Sequence, residues 1–233
     1  MAYSDTSPPV TYRRANPAPL GLMGFGLTTV LLNLHNADLV PMGSAILAMG
    51  LTFGGVAQIL AGMLEYGNGN TFGMTAFSAY GAFWLSFVAL IGLPHTGIVD
   101  ASSPNLVGSY LLAWGLFTFI MFIATLRASR AHQIIFLSLT VLFALLAAGD
   151  MLAMPVVTQF AGYEGLFCGF SAIYLAAAEI LEDAFGYAVM PIGQPAPASI
   201  AFRTAAAQTP PKHSAPQPNM HRGDKVELPP KTI

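Results

Sequence analysis

Charge is what this sequence has least of. Nine Lys and Arg and eleven Asp and Glu are spread over 233 residues, so that 9% of the chain is charged. A typical soluble domain carries roughly 25%. So few charges cannot cover a soluble protein of this length, and the bulk of the chain is expected to face a lipid bilayer. The net charge of −2 offers no basic stripe, which excludes a nucleic-acid partner. One cysteine, Cys168, excludes an intramolecular disulfide. There is no GxxxxGK[ST] loop and no HExxH pair, so no nucleotide, metal or other cofactor is expected. With no acid–base set in view either, the chain does not read as an enzyme. The first 15 residues lack the apolar stretch of a cleavable leader, so the first long helix is expected to direct insertion itself.

What the chain has instead is apolar length. Hydrophobic residues make up 55% of it, and the mean hydropathy is +0.61. A membrane span needs about 20 mostly apolar residues. Six stretches qualify, at 18–37, 42–65, 73–93, 105–127, 132–151 and 164–187. The fold class expected is therefore an all-α membrane protein, six transmembrane helices per subunit forming a pore. An N-terminal segment covers 1–15 and the pore domain 16–190. Residues 191–233 hold nine of the 17 prolines. With so little apolar content they are expected to be a disordered tail.

The cations test the count. With six spans, all nine Lys and Arg fall on the side that carries both termini, among them Arg13, Arg14, Arg127 and Arg130. The opposite loops hold only the acids Asp38, Asp100, Asp150 and Glu164. The positive-inside rule then places both termini in the cytoplasm, in a cell membrane.

Small residues mark where helices can meet closely in lipid. Span 1 holds Gly21, Gly24 and Gly26, span 2 holds Gly50 and Gly54, and span 6 holds Gly165 and Gly169. Span 1 opens on NPAPLGL at 16–22. Asn16 suits an N-cap, and Pro17 suits the first helical position. Such a start either holds a substrate anion or is an ordinary helix start at the interface.

Polar groups inside spans suggest a path or a partner. Asn16, Thr28, Asn33, Gln58, Thr75 and Ser138 are candidates to line a path or bind a small polar solute. Hydroxyls among them can also bond back to their own helix. Glu65, His35 and Glu179 are candidates to carry a proton, Glu179 lying about two turns inside the end of span 6. His132 is an alternative to His35, histidine being the residue type whose ordinary range lies nearest neutral pH.

NPAPLGL at 16–22 is followed by GFGLTT at 24–29 and LLNLHNA at 31–37. LEYGNGNTFGMTAFSAYGAFW stands at 64–84, FLSLTVLFALLAAG at 136–149 and AIYLAAAE at 172–179. These motifs resemble those of the acetate uptake transporter family, which includes bacterial succinate–acetate permeases and fungal acetate and ammonia-export membrane proteins. The resemblance implies a hexamer in which each subunit has its own pore. It implies passage of acetate, in some members succinate, by proton-coupled uptake or by channel-like conduction. It also implies an apolar constriction, matched here by Phe25, Tyr80 and Leu139. Glycines that thin span 1 would let these three meet across a narrow gap. A free Tyr80 hydroxyl would there be available to the substrate. Two other functions are compatible with the composition. One is a neutral-solute channel for ammonia, urea or a short amide, and the other is a sensor or scaffold working through the tail.

Overall fold

The computed structural model describes residues 15–194. They form six long helices and, among the described residues, no strand. The helices are α1 (Ala18–Asn36), α2 (Ser44–Gly67), α3 (Thr71–Gly92), α4 (Pro104–Thr125), α5 (Arg130–Met151) and α6 (Pro155–Phe185). All six are long and apolar enough to cross a membrane. Sequence neighbours pack side by side, and α6 returns against α1 to close the ring. The starts of α1, α3 and α5 and the ends of α2, α4 and α6 therefore share one face, called here the termini face. The opposite end is the far face.

Turn chemistry fixes the boundaries. Between α2 and α3, Gly69 takes the left-handed φ of 72° that a side chain disfavours. Asn70 then caps α3, its Oδ1 accepting from Gly73 N–H at 3.0 Å. Ser103 and Ser129 cap α4 and α5 in the same way. Two of the expected boundaries are corrected. Helix α6 begins at Pro155, nine residues before the expected start. Proline is well suited to a first helical turn, and Met154 before it is extended. Glu164 thus lies inside a span and not in a loop. The expected disordered tail also starts too early at 191. The carbonyls of Gly193 and Ile192 accept from the N–H groups of Arg130 and Ala131 at 2.9 and 3.1 Å, which satisfies the open start of α5. The rest of that tail, 195–233, lies outside the described residues, as does most of the expected N-terminal segment.

Two kinds of seam hold the ring. Between α1 and α6 the backbones nearly touch: a Cβ on Gly26 would stand 2.9 Å from the Gly169 carbonyl oxygen. Close approach of this kind is how helices associate in lipid, where burying apolar surface brings no gain. The α3–α4 seam is filled by large side chains instead. Phe83 meets Tyr110 and Trp114 at ring-centroid distances of 6.0 and 5.3 Å. The Tyr80 hydroxyl donates to Thr118 Oγ1 across the same seam.

Helix α2 holds a feature that span prediction does not see. Residues Gly50–Ala57 form a π-helix, a rare, wider winding that is frequent at functional sites. Gly50 and Gly54 in it do not pair with another glycine helix. They make room for the Trp84 indole, which a Cβ on Gly54 would meet at 2.9 Å.

Candidate functional site

A chain of cavities runs through the ring. On the termini face is a recess lined by Asn16, His132, Glu179 and Glu182. His132 also lines the first internal cavity, of about 60 Å³, together with Leu22, Gln58, Asn70, Tyr80 and Phe136. A second cavity, of about 20 Å³, lies toward the far face and is lined by Thr29, Asn33, Phe83, Trp84 and Leu142. Two residues border both cavities: Phe25 and Leu139. They form the septum. Asn33 in the second cavity accepts from Asn36 Nδ2 at 3.1 Å. Asn36 in turn lines a broad recess on the far face with His35 and Asp150. Shared residues link the termini-face recess to both internal cavities, and the Asn36–Asn33 hydrogen bond links the second cavity's wall to the far-face recess; among the described residues no carboxylate, Lys or Arg lines either internal cavity.

The three residues matched to the constriction come from three helices. Phe25 on α1, Tyr80 on α3 and Leu139 on α5 are all buried, and the Phe25 and Tyr80 rings stand 5.8 Å apart. Tyr80 is braced by Phe117 at 5.5 Å and by Phe136 at 6.1 Å. It lines only the first cavity, so the dividing wall itself is Phe25 and Leu139. Its hydroxyl is already committed, donating to Thr118 Oγ1 at 3.1 Å. This bond gives the hydroxyl a bracing role across the α3–α4 seam. Tyr80→Phe should leave half-saturation for substrate within about twofold while lowering stability by about 1 kcal/mol, the worth of one buried hydrogen bond. Parallel transport and thermal-unfolding measurements on the purified variant check this.

The start of α1 is also resolved. Pro17 and Pro19 have no N–H. Ala18 N–H is taken by Asn16 Oδ1 at 3.1 Å, and the N–H groups of Leu20 and Gly21 bond the Pro17 carbonyl at 3.1 and 3.4 Å. The N–H groups of this first turn thus have partners within the chain, which fits the ordinary helix start, the second of the two readings of NPAPLGL. Asn16 Nδ2 instead donates to Glu179 Oε2 at 2.9 Å. A carboxylate of the protein already occupies that place.

The remaining candidates divide. Gln58 and Asn33 line the first and second cavities, Asn16 and Glu179 stand at the rim on the termini face, and His35 at the rim on the far face. Thr28 does not join them. It is buried between α1 and α2 beside Gly54, with Oγ1 3.5 Å from the Met49 carbonyl. Thr75 is half-buried on α3 and lines none of these cavities. Ser138 sits one residue from Leu139, but on a helix that turns it toward α6, where its hydroxyl bonds Glu164 Oε1. Glu65 is buried behind the first cavity, its Oε2 accepting from Asn70 Nδ2 at 3.0 Å.

Several residues of the path were not singled out by sequence. Asn70 reads as a cap and Trp84 as an interior aromatic. Their second role depends on which helices meet. His132, by contrast, shared by the recess and the first cavity, was singled out as an alternative proton carrier beside His35, on residue type alone.

Residues 2–195 match the model of the GPR1/FUN34/yaaH family. The chain is 56% identical over 180 residues to the succinate-acetate/proton symporter SatP of Escherichia coli K12, covering 77% of this chain and 96% of that protein. It is 36% identical over 195 residues to acetate permease A of Emericella nidulans, covering 76% of this chain and 65% of that protein. It is 37% identical over 182 residues to ammonia transport outward protein 2 of Saccharomyces cerevisiae, covering 75% and 64%. Among solved structures, that of the bacterial acetate channel SatP superposes with a TM-score of 0.77 at 55% identity, covering 78% of this chain and all of that one.

Proposed function

We propose, since this chain belongs to the GPR1/FUN34/yaaH family, that it is a multi-pass membrane protein that carries acetate, and with it succinate, through a path inside each subunit. One observation carries the reading: two internal cavities share Phe25 and Leu139 as their common wall. A gap closed by oily side chains resists hydrated ions by dewetting. Acetate has a methyl group that tolerates such walls and a carboxylate that polar groups on either side can receive. The first cavity, of about 60 Å³, has room for more than one water-sized group, the scale of a two-carbon acid.

Crossing as acetic acid removes the cost of a bare charge in the bilayer, so we read the passage as proton-linked. Glu179 and His35, at opposite rims of the path, are the groups we would test first as proton carriers, with Glu65 beside them. Both termini lie in the cytoplasm on this reading, as the placement of the cations favours. The subunits assemble as a homo-oligomer, a hexamer on the family resemblance, each with its own septum.

Uptake of labelled acetate into vesicles holding the pure protein tests this, with and without an imposed pH gradient and against protein-free vesicles. The expected result is uptake above the protein-free rate, raised when the outside is acidic. Ammonium, urea and acetamide should compete poorly. Competition by any of these neutral or cationic solutes at acetate-like concentrations would favour the neutral-solute channel.

A further inference from the structure

Glu164 is a carboxylic acid set inside a membrane span, with one oxygen left without a partner. It lies on α6, nine residues after Pro155, which is about 14 Å along the helix axis. Its Oε1 is bonded to Ser138 Oγ on α5. Ser138 lies eight residues after Arg130, about 12 Å from the opposite end. Both distances place the pair well inside a hydrocarbon layer about 30 Å thick. Glu164 Oε2 is buried and has no hydrogen bond. No cation stands at this depth: among the described residues the only Lys and Arg are Arg127 and Arg130, both at the termini face. The elements packed against Glu164 bring no other charge near it. On α6, Cys168 one turn on gives its thiol to the Ile135 carbonyl at 3.7 Å. On α5, the titratable side chains are His132 and Asp150, six and twelve residues from Ser138. On α1, Asn33 fills the space over Gly165 and is bonded within its own helix, while His35 lies at the far rim.

A bare charge at such depth is costly, and a buried carboxyl without a counter-ion is neutralised by binding a proton. We propose that Glu164 is a proton-binding site inside the membrane, and that its proton keeps the α5–α6 seam closed beside the septum. Glu179 and His35 stand at the rims, whereas this site lies in the wall behind the path. The proposal rests on the reading of Phe25 and Leu139 as the septum of a carboxylate path. With the proton on Oε1, the carboxyl and the Ser138 hydroxyl share one hydrogen bond, and Oε2 is a neutral carbonyl oxygen. Without the proton, the charge has Ser138 as its one donor and Oε2 stays bare, which is far more costly for a charged group. The carboxylate must then turn out of the seam or draw water into it. Either move loads α5 at the residue that precedes Leu139. The proton is exchanged with water, and only an O–H bond is made or broken.

The test uses the full-length protein in vesicles, with Glu164→Gln and Ser138→Ala. Glutamine has the shape of the protonated side chain and cannot ionise. Acetate uptake is measured with equal pH on both sides, and wild type is compared with Glu164→Gln at each pH, so that the ionisation of acetate itself cancels. The two should agree at acid pH, and wild-type uptake should fall below that of Glu164→Gln as the pH rises. A lipid-soluble carbodiimide, which adds to protonated carboxyl groups, reports on the site without transport. Mass spectrometry should find the adduct on Glu164 of the wild type, with less of it at higher pH. Ser138→Ala removes the donor that favours the charged form, so both its labelling and its fall in uptake should shift to higher pH. A ratio of wild type to Glu164→Gln that stays constant across pH would overturn the link to the septum. A Glu164 that takes no label, or the same amount at every pH, would overturn the proton site. Should Glu164→Gln fail to fold, Ser138→Ala against wild type carries both tests. If the wild type moved no acetate at all, the transport reading would fail, and the labelling would still decide whether Glu164 binds a proton.

Discussion

Leu139→Ala should open the path to carboxylates larger than acetate. Leu139 is one of two side chains that part the cavities, and cutting it to a methyl joins them. In an apolar pocket one methylene of misfit is worth roughly 10–200-fold in selectivity. Passage of butyrate relative to acetate should therefore rise by at least about tenfold. Phe25→Ala should act in the same direction. A leucine-to-alanine change in a core also costs about 2–5 kcal/mol of stability, so a control is required. Leu142 is equally buried but lines only the second cavity. Leu142→Ala should lose similar stability and keep the wild-type ratio of butyrate to acetate. Competitive uptake of the two labelled acids into vesicles measures that ratio. The same ratio in Leu139→Ala and Leu142→Ala would remove Leu139 from the septum.

Gly26→Ala should disable transport without touching any polar group of the path. The added Cβ would meet the Gly169 carbonyl oxygen at 2.9 Å and Ile173 Cγ1 at 2.8 Å. A side chain could swing aside, but the carbonyl belongs to a helical backbone. Helix α1 must shift away from α6, and Phe25, the next residue in the chain, moves with it. Overpacking of this kind costs about 1–3 kcal/mol, and a displaced Phe25 should lower acetate uptake by about tenfold or more, since misplacement by 1 Å can cost on the order of a hundredfold. Gly43→Ala is the matched control, because nothing lies within 4 Å of a Cβ built there. It should keep both stability and uptake.

How much could be read in advance follows from what each residue depends on. Five of the six spans were legible within two or three residues because hydropathy is a local property and a bilayer sets the length it must reach. The sixth was misread at its start because Thr158, Gln159 and Glu164 look like loop residues in a sequence. In the fold, Glu164 has Ser138 as a partner, and that pairing needs α5 and α6 to be adjacent. Phe25, Tyr80 and Leu139 were gathered by resemblance, since nothing in hydropathy separates them from other apolar residues. Thr28 packs away from both cavities for a simpler reason. A buried threonine five residues before Asn33 can face the path or the neighbouring helix, and only the position of Gly54 decides which. The π-helix in α2 left no periodic signal that would distinguish it from an α-helix. The seat of Trp84 and the polar cavity beside it were therefore out of sight.

Selectivity between acetate and chloride, measured in one preparation of vesicles holding the full-length protein, tests the septum most directly. Two oily side chains across the path should pass the small carboxylate, with its methyl and its access to a proton, and stop an inorganic anion that must keep its water. Acetate flux well above the protein-free rate together with chloride flux at that rate is the predicted result. Chloride passing as freely as acetate would contradict it.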